Sequence, residues 1–303
     1  MKIGSGGSRR VGVEIEFGRI GPPEAAEAVQ AVFGGTIKQD GAHRLEVEDT
    51  GIGTFMIELD WRWVHEDLDN GGPLDKARDM LGKIGREVIP TEIVSPPMPA
   101  DRMPDMDNLI RLLAEKGAEG TRGGLLNGFG LHLNPELDDE DMTAERLLAV
   151  MRAYFLKSPL LRAEIDVDPM RTLLPFIEPF PELYVVKLLG SDYAPDLSQL
   201  IDDYLAFNPT RNRELDMLTV FTHLDKYRVR AALDDPLIKG RPTFHWRLPN
   251  ADLEDKDWTV SLEWRRWLGV ERLSLDPDAM AARTEEARDE ALADSDVWTR
   301  LFR

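Results

Sequence analysis

The chain has no cysteine among its 303 residues. That excludes disulfide cross-links, thiolate metal sites and cysteine nucleophiles. It is also short of positive charge, with 37 lysines and arginines against 56 aspartates and glutamates and a net charge of −19. Nucleic acid and anionic membrane surfaces would repel such a chain, so neither is an expected partner. Long apolar runs are missing, none approaching the roughly 18 residues that a membrane helix needs. The opening Met-Lys-Ile-Gly-Ser-Gly-Gly-Ser-Arg-Arg has basic residues but no apolar stretch. No signal peptide is therefore expected, and the expected location is the cytoplasm. Gly-x-Ser-x-Gly, His-Glu-x-x-His and Gly-x-x-x-x-Gly-Lys motifs are all absent.

What the chain does have is polar residues two apart inside strand-like runs. Side chains alternate across a strand, so Glu14 and Glu16 in Val-Glu-Ile-Glu-Phe point one way while Val13, Ile15 and Phe17 point the other. The pattern recurs at Glu58 and Asp60, His132 and Asn134, His245 and Arg247, and Glu263 and Arg265. Glu92 adds one more carboxylate in Thr-Glu-Ile-Val-Ser. Each pair alone fits an amphipathic strand with a solvated face. Together they favour a charged face that holds ions or charged ligands, because Trp, Phe and Leu flank the acids and no lysine lies on these stripes.

Periodicity predicts strands at 10–17, 36–39, 43–49, 54–61, 91–95, 242–248 and 258–267, and helices at 22–33, 73–88 and 105–116. Residues 120–130 form a glycine-rich loop, read as a lid or phosphate cover, that leads into the His132 strand. Helical spacing dominates an insertion of about 138–232, at 143–157, 195–206 and 211–230, and an acidic helical segment closes the chain at 276–303. The expected architecture is α+β: one catalytic domain over 1–303, an antiparallel sheet with a helical insertion. Trp258, Trp264 and Trp267 are expected in the core, Ser95 in a turn, and Trp61 and Trp63 beside the acids.

Clustered carboxylates with histidine and no thiolate favour hard cations, Mg²⁺ or Mn²⁺. Such sites are typical of enzymes that use ATP, with arginines on the transferring phosphoryl oxygens. A glycosidase needs only two carboxylates, so six acids with arginines exceed that requirement.

The set Val-Gly-Val-Glu-Ile-Glu-Phe, Glu-Leu-Asp, Glu-Ile-Val-Ser-Pro-Pro, Gly-Leu-His-Leu-Asn-Pro-Glu, Arg-Leu-Pro-Asn and Leu-Glu-Trp-Arg, in order from residue 11 to about 272, resembles the amidoligase family. That family is related to glutamate–cysteine ligase and glutamine synthetase, the carboxylate–amine ligases. The resemblance implies a sheet curled into a half-barrel whose concave face holds ATP and Mg²⁺. It implies that Glu14, Glu16, Glu58, Asp60, Glu92, His132 and Glu263 are metal ligands, with Glu58, Asp60 and Glu92 also available to an amine site. Arg265, Arg247 and Asp60 would be catalytic, and Arg247, Arg265, His132 and Lys187 would contact the nucleotide. Many relatives carry His-x-His where this chain has His132-Leu133-Asn134, which leaves the role of Asn134 open. The implied reaction joins small-molecule or peptide carboxylates and amines, and a homo-oligomer stays open. The rival readings are a guanidino-kinase-like phosphotransferase and a non-catalytic acidic interaction protein.

Overall fold

The computed structural model describes residues 9–41, 43–60, 89–124, 127–173 and 177–293. The expected helix at 73–88, together with Trp61 and Trp63, lies outside them. The chain divides into two compact units. One comprises Gly12–His132 and Asn250–Ser261. The other comprises Leu133–Pro249, the residues before Gly12 and those from Leu262 onward.

The first unit is built on strands β1 (Arg10–Phe17), β2 (Thr36–Gln39), β3 (Arg44–Thr50), β4 (Gly53–Leu59) and β5 (Thr91–Val94). They pair antiparallel in the order β2-β3-β4-β5-β1, an open sheet with β2 at its edge. A two-residue strand, β6 (Met98–Pro99), also pairs with β1. In register, Ile15 of β1 lies opposite Ile93, and Ile93 lies opposite Ile57. These isoleucines, with Val13, Phe17, Val47 and Phe55, are fully buried and form the apolar face.

Helix α1 (Pro22–Phe33) starts with prolines, which need no helical N–H partner at that end, and stops at Gly34 with φ 73°. Its buried Ala25, Ala26, Ala28, Val29 and Phe33 form its core-facing side, with Phe33 and Phe55 ring centroids 4.7 Å apart. Helix α2 (Met103–Glu115) buries Met106, Leu109, Ile110 and Leu113, spaced for one helical face. With one face sealed by hydrocarbon, the opposite face of the sheet is where the period-two acids must project.

The second unit is mainly helical, with α3 (Ala144–Ile165), α4 (Pro169–Leu173), α5 (Glu182–Leu189) and α6 (Leu197–Phe207). Phe155, Phe180, Tyr184, Tyr204 and Phe221 pack there at ring separations from 4.8 to 6.4 Å. Short strands β7 (Leu131–Pro135), β8 (Leu215–Asp216) and β9 (His245–Trp246) align Leu133, Trp246 and Leu215 in one buried row. Residues 211–230, expected to be one helical stretch, form instead β8 and two short helices, α7 (Leu218–Leu224) and α8 (Lys226–Ala232). The strand expected at 242–248 shrinks to two residues.

The expected strand at 258–267 is wrong. It is helix α9 (Val260–Ser274), followed by α10 (Pro277–Ala293). The buried positions Val260, Trp264, Trp267 and Glu271 step by four, three and four, which is one helical face. Aromatic content and local alternation imitate a strand there, and the longer period decides the outcome. Trp258, Trp264 and Trp267 are buried, as core residues should be. No described helix is long and apolar enough to cross a membrane.

Candidate metal and substrate sites

In the sheet unit, the register assembles what the sequence only spaced. Glu16 lies directly opposite Glu92, and Glu92 lies directly opposite Glu58. Three glutamates therefore form one row across β1, β5 and β4. Residues directly opposite share a face, and like charges there repel. Glu14, two residues along β1, falls on the same face opposite Val94. Glu14, Glu16 and Glu92 are only 6%, 7% and 3% exposed, so water does little to relieve the repulsion, while Glu58 is half-buried.

His132, 3% exposed, reaches this face with Nδ1 3.2 Å from Glu14 Oε2. Candidate ligand atoms of Glu16, Glu92 and His132 all lie within 4.8 Å of one another. Asp60, also buried, follows β4 with its N–H donating to the Pro90 carbonyl at 2.9 Å. Buried opposed carboxylates are stable only when protonated or when a cation sits among them. The donor set of carboxylate oxygens and one imidazole fits a hard divalent ion such as Mg²⁺ or Mn²⁺.

The glycine-rich loop helps to hold this face. Glu16 N–H donates to the Gly130 carbonyl and the Gly130 N–H returns a bond to Glu16 Oε2, each at 3.0 Å. At the loop's start, Thr121 N–H donates to Ala251 O at 2.8 Å and Ala251 N–H donates to Thr121 Oγ1 at 3.0 Å. A Cβ on Gly120 would lie 1.9 Å from Ala251 O, so only glycine allows this approach. The described part of the loop, expected to be a lid or phosphate cover, is held by these contacts as a fitted strut.

In the helical unit, Asn134 resolves into a definite partner: its Oδ1 lies 2.6 Å from His245 Nδ1. Arg247 is 7% exposed and donates from Nη1 to the Arg211 carbonyl at 3.2 Å, while its N–H donates to Glu214 O at 2.9 Å. Arg171, 1% exposed, donates to the carbonyls of Arg247 and Leu248 at 2.7 Å each and to that of Pro249. The segment carrying Arg247 is therefore rigidly held.

Other sequence candidates take structural positions. Lys187 Nζ is ion-paired with Asp203 Oδ1 at 2.7 Å, and Tyr193 OH donates to the second oxygen of Asp203 at 2.8 Å. Burial, helped by Asp203, pushes the Tyr193 phenol well above its usual range. Glu263 and Arg265 were expected on a strand stripe, but on helix α9 residues two apart diverge by about 200°. Glu263 is fully buried and paired with Arg266, whereas Arg265 is exposed. Ser95 accepts from Val13 N–H at 2.9 Å and donates to Pro96 O at 3.0 Å, as befits a turn.

Asp216 is missed by sequence reasoning because it falls within an expected helix. It is 5% exposed, and its Oδ1 accepts from Leu218 N–H at 2.8 Å at the head of α7. Burial pushes its carboxyl up to about 6, even though that N–H and Arg247, Arg211 and Arg241 all pull the other way. An Asp just before the apolar run Leu218–Leu224 is the readable sign.

A model of the family described as "Putative amidoligase enzyme" matches residues 7–269 of the chain. No curated protein and no solved structure matches.

Proposed function

We propose, for a chain that belongs to the putative amidoligase family and is thereby supported as an amide-bond-forming ligase, an ATP- and Mg²⁺-dependent joining of a carboxylate to an amine. One observation carries the reading: the row of half-buried Glu58 and buried Glu92 and Glu16, flanked by Glu14 and His132, with ligand atoms of Glu16, Glu92 and His132 close enough to share one cation. In this reading the sheet is the curled half-barrel of the carboxylate–amine ligases. Glu16, Glu92 and His132, with Glu14, would hold Mg²⁺, and Glu58 and Asp60 would serve a second ion or the amine. When bound, Mg²⁺ supplies positive charge that lowers repulsion between a substrate carboxylate and the ATP γ-phosphate.

The substrate carboxylate oxygen attacks the γ-phosphorus, the bond to the β-phosphate oxygen breaks, and ADP leaves an acyl phosphate. The amine nitrogen then attacks the acyl carbon, the C–O bond to phosphate breaks, and the nitrogen loses a proton as the amide forms. Arg247, fixed through its backbone by Glu214 and Arg171, is the arginine suited to steady the carboxylate and its phosphoryl oxygens. The exposed Arg265 and the ion-paired Lys187 are not assigned that work.

An acyl phosphate is electrophilic, so hydroxylamine intercepts it even when the natural amine is unknown. Incubation with ATP, Mg²⁺, hydroxylamine and a panel of carboxylates should yield a hydroxamate with at least one of them, plus ADP and phosphate. Glu16→Gln should cut the rate by roughly 10²-fold or more, since the site loses a charged ligand. With a guanidine such as arginine added as acceptor, a stable phosphorylated guanidine and no hydroxamate would assign a phosphotransferase. The absence of turnover and nucleotide binding would assign an interaction protein.

A further inference from the structure

The helical unit carries a cavity that the proposed reaction does not use, and small side chains at helical spacing create it. On helix α10, Pro277, Met280, Ala281 and Thr284 recur at three and four residues, a stripe along one side. On helix α3, Leu148, Ala149 and Arg152 follow the same spacing. Each stripe carries an alanine, so these helices and the segment 189–195 leave a space that no side chain fills. It measures about 660 Å³, within the roughly 300–1,000 Å³ of small-molecule sites.

Arg152 faces this space with no acid as its partner. Its Nε donates to the Leu188 carbonyl at 2.5 Å, and Nη2 donates to those of Gly190 and Tyr193 at 2.9 and 2.8 Å. Those bonds use three of the five guanidinium N–H groups and fix the plane of the group. The two on Nη1 remain, and among the described residues no hydrogen bond or ion pair engages them. Arg152 is half-buried, and burial lowers its pKa with only Tyr193 opposing. In a chain with 56 acids for 37 bases, a half-buried guanidinium that no carboxylate neutralises is complementary to an anion from outside.

The walls limit which anion fits. Glu145 and Glu285 line the cavity with Arg288, and repulsion from these acids disfavours multiply charged ligands. Glu145 stands seven residues before Arg152, about 10 Å along α3, so the charge must sit at the Arg152 end. Between those ends the wall is apolar. We propose that this cavity binds a singly charged organic anion with an apolar body, of the medium-chain monocarboxylate class. Its carboxylate accepts from Arg152 Nη1 and its chain lies along Leu148, Ala149 and Met280. The site belongs to the helical unit and does not depend on the ligase reading.

Titration calorimetry on the full chain, at fixed ionic strength and without nucleotide, compares octanoate with three probes. Octanol lacks the charge, butyrate lacks four methylenes, and octylammonium reverses the sign. Octanoate should bind one to one. Each buried methylene is worth roughly fourfold in affinity, so butyrate should bind at least about tenfold more weakly. Octanol should lose roughly 10- to 100-fold, the worth of a hydrogen bond to a charged group. Octylammonium should not compete with octanoate. Ala281→Trp fills the cavity from an exposed helix position and leaves the carbonyl bonds of Arg152 in place. It should abolish one-to-one binding with the apo melting temperature unchanged. Arg152→Gln should bring octanoate down to the affinity of octanol while octanol itself binds as before, which a collapsed cavity would not allow. Octanoate binding unaltered in both variants would place the site elsewhere and overturn the inference. Equal affinity for octanoate and octanol in the native chain, or no one-to-one binding of octanoate, would overturn it as well.

Discussion

At the scale of single residues, the chain tolerates groups that cost stability. Asp216 is the clearest. Its carboxyl is raised from 3.8 to about 6 by burial. A raised acid stabilises the fold relative to its ionised state only while protonated, so that contribution is complete below about pH 3.8 and is lost as pH rises through 6. The lost contribution is about 3 kcal/mol, since each tenfold change in proton affinity is worth about 1.4 kcal/mol. Asp216→Asn should therefore melt several degrees higher than the native chain at pH 7. The gap should close by about pH 4, as calorimetry across that range would show. A gap independent of pH would mean that Asp216 is not the strained acid. Glu16 makes the complementary case, because Gln can still accept from Gly130 N–H while removing one charge from the row. Metal-free Glu16→Gln should melt level with or above the native chain. A marked fall instead would make Glu16 a structural residue.

Among the elements, β1, α1, β2, β5 and α2 are legible because strong alternation or a clean helical face coincides with local turn and proline signals. The bounds of Pro22–Phe33 and Thr36–Gln39 follow from sequence to the residue. Helix α9 reads falsely as a strand because Trp264 and Trp267 satisfy a strand's composition while their burial follows a helix. Strand β8 is invisible, since two residues give no period at all and only pairing with His245–Trp246 defines them. The glycine-rich segment suggests a lid because glycine permits many conformations. Its reason here is close approach, shown by Gly120 against Ala251 O. Gly120→Ala must push these backbones apart and break the Thr121–Ala251 pair of hydrogen bonds, at a cost of roughly 1–3 kcal/mol. Hydrogen exchange should then speed up at Thr121 and Ala251. If the change also loosens the loop's far end at Gly130, the Glu16 contact weakens and metal affinity falls with it. Unchanged exchange in Gly120→Ala would refute the strut.

For the whole molecule, sequence spacing can say that Glu14 and Glu16 share a face. It cannot say that Glu92 stands between Glu58 and Glu16, because strand order is set by pairing across long stretches of chain. The resemblance supplies the residues and the register supplies the row. A chain with net charge −19 and several buried acids on one sheet face should be held together better by a divalent cation if that face holds one as proposed. A ligand at about 100 times its dissociation constant adds about 2.7 kcal/mol to stability. For a chain of this size that is a rise in melting temperature of about 5 °C. Screening of surface charge would also stabilise such an acidic protein, so the comparison must be made at fixed ionic strength, with Mg²⁺ or Mn²⁺ replacing Na⁺. The acids belong to the sheet unit, so if two unfolding transitions are resolved, the one assigned to that unit should move and the other should stay. Glu16→Gln/Glu92→Gln removes two charges of the row and should abolish the specific shift while leaving the response to NaCl unchanged. A shift of equal size in that double variant would mean that the cation acts on the molecule's overall charge, and the row of glutamates would lose its claim to be a metal site.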